Sequence, residues 1–375
     1  MSKVYLPTAE QMDDTIKNLG KIADVLGAKT DTSTWKGIQN VVRMGLAPKL
    51  FPIGSQLRVS HSKYGDIIFD VVAHDYFKSN HNENKHTMTL LTHDCITNAL
   101  YDGIEAFYYA EAYLPAGTYN FTIDDTYVSW AAGTYQFTLT NELPAGGQLG
   151  ILSFADKSLT ELTVKSFADK YATDAIEECA ITLGNSGTSL GTFGVELNHI
   201  QRVSTGSNNY KESAVRQFLN SNAAAGDVWT PQTKFDRPPS WKGTLPGFMK
   251  GLDADFLSVV GEVGVPCSAN NTYESPDSTV SIGEKYTVRD KFYLASMVEI
   301  VGQYEYEDGA MQFPYFKNAT DVDFIKYLSG VAKHWWTRTP VVQGARSAYL
   351  VHSEGSVTSG YAYTQNALVI ACTIV

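Results

Sequence analysis

Periodic apolar positions predict two helices at the start of the chain. In residues 8–27, apolar side chains from Met12 to Leu26 recur at alternating intervals of four and three residues, which predicts a helix with one apolar seam. The seam spans only two heptads, too few for a stable coiled coil on its own. We expect this helix either to pack on its own domain or to help assemble copies of the protein. A second helix is predicted after the N-cap residues Ser33 and Thr34.

Extended segments take over after Pro48. Apolar, β-branched and aromatic residues predict strands at residues 56–61, 66–74 and 87–92, whereas residues 93–112 have the spacing of a helix. The predicted secondary structure therefore changes from helix to strand and back to helix by residue 112.

A short internal repeat follows. The sequence Ala116-Gly117-Thr118-Tyr119 recurs sixteen residues later as Ala132-Gly133-Thr134-Tyr135, and each copy continues with a polar residue, Phe and Thr. A Tyr and a Phe two positions apart share one face of a strand, and the Gly before them supplies a turn. We predict a small antiparallel β insertion, a hairpin or meander, over residues 114–165.

The second half of the chain mixes helix, loop and strand. Predicted are a helix over 208–222 closed by Asn220 or Asn222, a loop with Pro and Trp over 226–246, strands over 256–263, 280–290 and 292–300, a short helix or turn over 321–329, and a terminal strand over 367–375. No linker long enough to separate independent domains is present. The fold class is therefore α+β, with the β insertion interrupting one larger domain.

Charge and cysteine content narrow the classes of function. The net charge is −11 with no basic run, which argues against binding to nucleic acid or to an anionic membrane. No apolar stretch approaches the length of a membrane span, and the N-terminus lacks a signal-peptide core, so we expect synthesis in a cytoplasm. Four widely spaced cysteines, Cys95, Cys179, Cys267 and Cys372, favour buried free thiols over a disulfide framework or a zinc site.

The densest group of ionisable residues lies between His74 and Asp94. It contains His74, His81, His86 and His93, yet no pair has the spacing of helical metal ligands, so a structural role is favoured over a metal site. The chain has no phosphate loop and no dinucleotide fingerprint. Glycoside hydrolysis needs two carboxylates that face the scissile bond. The candidates are Glu105, Glu111, Asp124 and Asp125, but no motif singles them out. No motif predicts an enzyme, and no cofactor or metal is predicted.

The C-terminal segment is the most informative part of the sequence. Trp335-Trp336-Thr337-Arg338 opens it, a run rich in Ser, Thr, Gly and Tyr follows, and an apolar strand closes it. Two adjacent Trp residues on one strand should point to opposite sides, so we expect only one of them in the core. Arg338 is expected to hold a buried carboxylate or carbonyl groups with its planar fork. All three are predicted to be scaffold, with binding residues after them.

Several of these segments, in this order, resemble phage and prophage proteins that carry a C-type-lectin-like domain. The segments are Asn209–Ser221, Asp236-Arg237-Pro238, Trp335–Pro340, the terminal Ala-Cys-Thr-Ile, the Ala-Gly-Thr-Tyr repeats and the helix near Pro7. Within that group the chain is most similar to variable proteins of diversity-generating retroelements. The resemblance implies a C-type-lectin-like fold related to formylglycine-generating enzymes. Those enzymes bind copper through a cysteine pair that this chain lacks, which argues against oxidase activity.

The resemblance also implies which residues bind. In such systems a reverse transcriptase errs at template adenines, so Asn codons change to codons that exclude Trp, Met, Lys, Gln and Glu. Gln343, Glu354 and Gln365 would then be fixed. Matching the family pattern gives twelve candidate binding positions: Val341, Val342, Arg346, Ser347, Leu350, His352, Ser356, Thr358, Ser359, Gly360, Tyr361 and Tyr363. Tyr, Ser and Gly are also the residues that antibody-type binding loops use.

The resemblance divides the chain into four parts: residues 1–48 for oligomerisation or attachment, 49–113 as the first part of the C-type-lectin-like domain, the insertion 114–165, and 166–375 with a binding segment at 337–366. It implies a non-enzymatic receptor-binding protein of a phage tail or virion surface, a homotrimer that contacts a bacterial surface protein or glycan and other virion proteins. Two alternatives stay open: an undiversified virion structural or decoration protein, and a glycan-active enzyme near His74–Asp94.

Overall fold

A computed structural model describes most of the chain outside its N-terminus and the predicted insertion. The described residues are 31–77, 86–104, 206–232, 236–268, 285–302, 309–341 and 346–375, with short stretches at 108–109, 113, 115–123, 133–139, 142, 148–149, 158–159, 181–185 and 188–193. The predicted helix over residues 8–27 lies outside the described residues.

The described residues form five helices, three short 3-10 turns and twenty-one strands. The helices are α1 (Trp35–Arg43), α2 (Ala47–Leu50), α3 (Ala214–Leu219), α4 (Ala254–Val259) and α5 (Met297–Val301), and the 3-10 turns are Phe248–Gly251, Pro314–Phe316 and Asp321–Phe324. The strands are β1 (Gln56–His61), β2 (Gly65–His74), β3 (Met88–Thr92), β4 (Asn98–Leu100), β5 (Tyr108–Tyr109), β6 (Gly117–Ile123), β7 (Gly133–Leu139), β8 (Gln148–Leu149), β9 (Ser158–Leu159), β10 (Ile181–Asn185), β11 (Thr188–Phe193), β12 (Val263–Ser268), β13 (Lys285–Asp290), β14 (Phe292–Leu294), β15 (Lys326–Leu328), β16 (Val331–Lys333), β17 (Trp335–Pro340), β18 (Ser347–Val351), β19 (Val357–Tyr361), β20 (Gln365–Ala367) and β21 (Ile370–Ile374).

The first sheet joins the two ends of the described chain. Its order is β1-β2-β3-β21-β14, with all neighbours antiparallel. Strands β3 and β21 are buried along their whole length, so the sheet is covered on both faces at its centre. Helix α1 is fixed to the end of this sheet, because the Gln39 side-chain amide donates to the Val375 carbonyl oxygen at 2.7 Å.

The second sheet contains the C-terminal segment. Its order is β19-β18-β17-β20-β4, with β17 in the middle and β19 at one edge. Strands β17 and β20 are parallel, whereas the β17–β18, β18–β19 and β20–β4 pairs are antiparallel. The segment predicted to bind therefore runs from the centre of a sheet to its exposed edge.

The Ala-Gly-Thr-Tyr repeats form a third sheet, as predicted. Strands β6 and β7 carry the two copies and pair antiparallel from Gly117 with Leu139 to Ile123 with Gly133. The sheet order is β11-β10-β6-β7-β9, and β9 joins β7 in parallel. Because β10 and β11 belong to it, this sheet continues beyond residue 165, where the sequence predicted the insertion to end.

Mixed helices and sheets confirm the α+β class, and several local predictions are confirmed. Helix α1 begins after Thr34, whose side-chain oxygen accepts from the Gly37 amide. Strands β1, β2 and β3 lie where alternation placed them. Of the cysteines, Cys95, Cys267 and Cys372 are buried free thiols, and Cys179 lies outside the described residues.

Three predictions are wrong, one because of a long-range strand pairing and two because of helix caps that the sequence analysis missed. Residues 98–100 are a strand, not helix, because they pair with β20 at the edge of the second sheet. Residues 256–259 are helical rather than extended, since the Asp253 side chain caps α4 by accepting from the Phe256 amide. Residues 297–301 also form a helix, begun by a capping box between Ser296 and Glu299. The predicted helix over 208–222 is confirmed only for Ala214–Leu219, closed by Asn220.

A buried ion pair links these elements at the centre of the molecule. Arg338 on β17 and Glu299 on α5 are both fully buried, and Arg338 Nη2 donates to Glu299 Oε1 at 2.9 Å, with a second bond from Nη1 to Oε2. Arg338 also donates to the carbonyl oxygens of Pro266 and Leu294, each at 2.8 Å. The prediction that Arg338 holds a buried carboxylate and carbonyl groups is confirmed.

We expect Glu299→Gln to destabilise the protein by about 3–5 kcal/mol, because the Arg338 charge would stay buried without its counter-charge. The matched control is Glu262→Gln, since Glu262 and Arg289 form an exposed pair at 3.9 Å. The control should change the free energy of unfolding by less than about 1 kcal/mol. Urea denaturation measures both, and equal effects of the two variants would contradict this account.

Candidate binding face of the C-terminal sheet

Strand β17 is buried on both faces, and this corrects the prediction for the Trp pair. Trp335 and Trp336 both have no exposed surface, so neither reaches solvent. The Trp335 indole N–H donates to the Phe324 carbonyl oxygen, and that of Trp336 to the Ala99 carbonyl oxygen, each at 3.0 Å. The pair does point to opposite sides, but β17 is the central strand and other elements cover both of its faces.

The β18–β19 hairpin has one inward and one outward face. Pairing puts Ala348 opposite Gly360 and Leu350 opposite Thr358. Leu350 is only 2% exposed, so these positions point towards the core. The alternate positions Ser347, Tyr349, Val357, Ser359 and Tyr361 form the outward face, whereas Val351, paired with Val357, is buried.

Three of the twelve predicted binding positions are therefore corrected, and one of them is Thr358, which lies opposite Leu350 on the inward face. Leu350 belongs to the core and offers no surface to a ligand. Gly360 faces the same way, and a Cβ atom there would lie 3.0 Å from the Leu350 side chain and 3.3 Å from that of Trp336. Replacing this glycine would therefore press on the core.

The other candidate positions lie at or near the surface, apart from Val342, which is outside the described residues. Ser356, Ser359, Tyr361 and Tyr363 are exposed, and Val341, Arg346, Ser347 and His352 are half-buried. Sequence reasoning missed Tyr349 and Val357, which share the outward face. The two-residue periodicity of a strand could have identified both.

Two tyrosines and an arginine form the chemically distinctive part of this face. The Tyr361 and Tyr363 rings are stacked, with centroids 6.2 Å apart and planes at 19°, and each residue is 43% exposed. The Arg346 guanidinium lies over the Tyr361 ring, 5.3 Å from its centroid. We call Arg346, Tyr361 and Tyr363 the aromatic patch. Residues of these types carry much of the binding energy in protein interfaces.

Buried contacts hold the backbone under this face. The Asn208 side-chain amide donates to the Ser347 and Val341 carbonyl oxygens, at 2.8 and 3.2 Å. Gly355, in the β18–β19 turn, has a φ of 90° and lies so close to the Asp321 carbonyl oxygen that a side chain would collide with it. The hairpin is thus fixed by residues that do not contribute to its surface.

The described histidines between His74 and Asp94 do not meet at one site. His74 is hydrogen bonded to the Phe51 carbonyl oxygen at 2.9 Å, His86 to Asp75 at 3.1 Å and His93 to Asp70 at 2.9 Å, whereas His81 lies outside the described residues. Within the part of the chain that the structure describes, no three metal-binding side chains come together. Glu105, Glu111, Asp124 and Asp125 also lie outside the described residues.

A pair of histidines lies at the root of the β18–β19 turn. The His334 and His352 rings have centroids 4.0 Å apart. His334 Nδ1 accepts from the Ser353 amide at 3.1 Å, and His352 Nδ1 from the Glu354 amide at 3.3 Å. Burial lowers the pKa of His334 and the neighbouring His352 lowers it further, while Glu354 opposes this effect.

We expect acid to weaken this turn. The folded-state pKa of His334 lies below the unfolded value of about 6.5, so its contribution to stability is complete above about pH 6.5 and decreases as the pH falls towards the folded-state pKa. Thermal unfolding between about pH 7.5 and 5 should therefore show a smaller loss of melting temperature for His334→Gln than for the unchanged protein. Parallel losses in the two proteins would contradict the assignment.

Comparison with known proteins gives a family for the C-terminal half. Residues 179–374 match the model of a family described as Domain of unknown function (DUF6273). No curated protein and no solved structure matches the chain. Among the described residues, no helix has the length and apolar character needed to cross a membrane. The matched region includes both partners of the Arg338–Glu299 pair and the whole outward face of β18–β19. Because it spans more than half of the chain, the protein belongs to the DUF6273 family.

Proposed function

We propose that the protein is a receptor-binding protein of a phage, which attaches through the outward face of β18–β19 to a bacterial surface protein or glycan. In this proposal the scaffold has a C-type-lectin-like fold, acts without catalysis and belongs to a tail or virion surface with other virion proteins. The observation that carries the proposal is the aromatic patch, which stands exposed on a hairpin whose backbone is fixed by buried residues.

The separation of surface from frame supports diversification of this face. Arg346, Ser347, Ser359, Tyr361 and Tyr363 have side chains at or near the surface, so their replacement removes few core contacts. Most surface substitutions change stability by less than about 0.5 kcal/mol. A sequence that varies at these positions can therefore present many surfaces on one stable backbone. Buried Leu350 and tightly packed Gly360 do not belong to the varied set.

The chemistry of the patch suits contact with a polar macromolecule. Stacked tyrosines offer a large rigid area at small cost in side-chain entropy, and the arginine adds a charge and five donors. A single patch of this size binds weakly. Assembly as a homotrimer, which the family resemblance and the short apolar seam of residues 8–27 together suggest, would present three patches and raise avidity by ~10²–10⁴-fold.

Removal of the aromatic patch tests attachment. We expect the double variant Tyr361→Ala/Tyr363→Ala to lose most binding to host cells with little change in melting temperature, because both rings are exposed. The control is Tyr113→Ala, which removes an exposed tyrosine outside the C-terminal sheet and should leave binding intact. Flow cytometry of cells with labelled protein measures binding. Unchanged attachment of the double variant would overturn the proposal, and loss of folding would show that the rings belong to the core.

Diversification makes a second prediction about copies of the gene in one phage population. Substitutions should concentrate at Arg346, Ser347, Ser359, Tyr361 and Tyr363, because replacing these side chains changes the surface without disturbing the core. They should be absent from Trp336, which has no exposed surface. Deep sequencing of the gene, with the neighbouring DNA searched for a reverse transcriptase and an imperfect repeat, measures this. Substitutions spread evenly along the chain would contradict diversification while leaving attachment itself untouched.

A further inference from the structure

A cavity of about 320 Å³ lies away from the binding face. It opens between β2, the segment after β3 and the turn that joins β15 to β16. Its polar and aromatic lining consists of Tyr64, Asp66, His93, Asp94, Tyr327 and Ser329, and none of these belongs to the aromatic patch or the β18–β19 hairpin. Its volume is at the lower end of the ~300–1,000 Å³ range of small-molecule pockets.

His93 is held in a fixed orientation at this cavity. Its Nδ1 lies 2.9 Å from an oxygen of Asp70, whose side chain is only 2% exposed. A buried lysine completes the arrangement, because Lys326 Nζ donates to the His93 carbonyl oxygen at 2.7 Å and lies 3.9 Å from Asp70. A carboxylate only accepts hydrogen bonds, so the Nδ1 proton points to Asp70, and Nε2 is the ring nitrogen left for a ligand.

The other polar groups of the cavity favour a ligand that donates hydrogen bonds. Asp66 and Asp94 contribute carboxylate oxygens, and their charges repel an anionic ligand. Asp66 already has a cationic partner in Arg58 at 3.1 Å, and Asp94 accepts from the Tyr327 amide at 3.3 Å. Because these partners already compensate part of the carboxylate charge, the cavity does not require a cationic ligand. The carboxylates still have lone pairs that can accept from hydroxyl donors.

Aromatic and unsatisfied groups complete the lining. Tyr327 is 43% exposed and presents an apolar ring at the cavity. The Tyr64 hydroxyl is buried and has no hydrogen-bond partner within 3.5 Å in the described part of the chain, and only a weak hydrogen bond with the Thr97 side chain opposes the increase in pKa that burial causes. A buried hydroxyl with so weak a partner is costly, and a ligand that reaches it would reduce that cost.

We propose that this cavity binds one neutral sugar unit of a glycan. Such a unit has several hydroxyl groups, which would donate to the Asp94 carboxylate and form a hydrogen bond with His93 Nε2, and an apolar C–H face, which would pack on the Tyr327 ring. This combination of fixed acceptors and an aromatic wall matches a hydroxyl-rich ligand better than an anion or a purely apolar molecule. The site is independent of the proposed attachment through the aromatic patch.

Titration of the full-length protein with single sugars tests the proposal. The probes are the methyl glycosides of glucose, galactose, mannose and N-acetylglucosamine, with glucuronate as an anion and cadaverine as a cation. We expect saturable binding of at least one glycoside by NMR, with a Kd on the order of millimolar or tighter. Tyr327→Ala should weaken that binding about tenfold or more, because it removes the ring that covers the sugar face.

Matched variants separate this site from the rest of the surface. Tyr113→Ala makes the same substitution at an exposed tyrosine outside both sites and should leave glycoside binding unchanged. Asp94→Asn keeps the acceptor for the Tyr327 amide and should weaken binding severalfold without unfolding the protein. Three results would overturn the proposal. The first is no binding of any glycoside at concentrations about 100-fold above a millimolar Kd. The others are equal glycoside affinity of the Tyr327→Ala variant and the unchanged protein, and binding of cadaverine alone. None of them would bear on attachment through the aromatic patch.

Discussion

The buried contact between Glu299 and Arg338 is the interaction on which the rest of the structure depends. The Glu299 carboxylate accepts hydrogen bonds from the Ser296 amide, at the start of α5, and from both terminal nitrogens of the Arg338 guanidinium. The same guanidinium donates to the carbonyl oxygens of Pro266 and Leu294. Helix α5, β12, β14 and β17 are thus joined through two side chains. Removing either charge would leave the other uncompensated in the core, so these elements must be in place together.

Rigidity at β17 explains why the neighbouring hairpin can carry a variable surface. Strand β17 is buried on both faces, β18 is buried on one and β19 forms the edge of the sheet. Exposure therefore increases across three adjacent strands within a short distance of sequence. Side chains at the edge contribute little to the core, whereas the backbone beneath them is held by Asn208 and by the close approach of Gly355 to Asp321. The surface and the fold can change independently only under such an arrangement.

Local patterns in the sequence predicted several elements whose cause is local, although the local caps of α4 and α5 were missed. The Thr34 cap and the apolar face of α1 lie next to each other in sequence, and so do the alternating residues of β1 and β2. Residues 98–100 were mispredicted because their strand exists only through pairing with β20, more than two hundred residues away. The role of Arg338 was predictable from its chemistry, but its partner Glu299 lies 39 residues upstream and no pattern connects them.

Only part of the candidate site could be predicted, because long-range strand pairing also determines its geometry. Its location on the C-terminal hairpin follows from composition and from a family resemblance, but the direction of each side chain follows from strand pairing. Pairing puts Leu350 in the core and brings Tyr349 and Val357 to the outward face. The cavity beside His93 could not be predicted, because Asp70, His93 and Tyr327 come together only through the pairing of distant strands.

The central claim is that surface and frame are separable in the C-terminal sheet. Saturation mutagenesis of residues 335–341 and 346–366, with protease resistance of the displayed protein as the readout, tests it most directly. Our account predicts broad tolerance at Ser359, Tyr361 and Tyr363 and almost none at Trp336, Arg338 and Leu350. Similar tolerance at the two sets of positions would contradict the account.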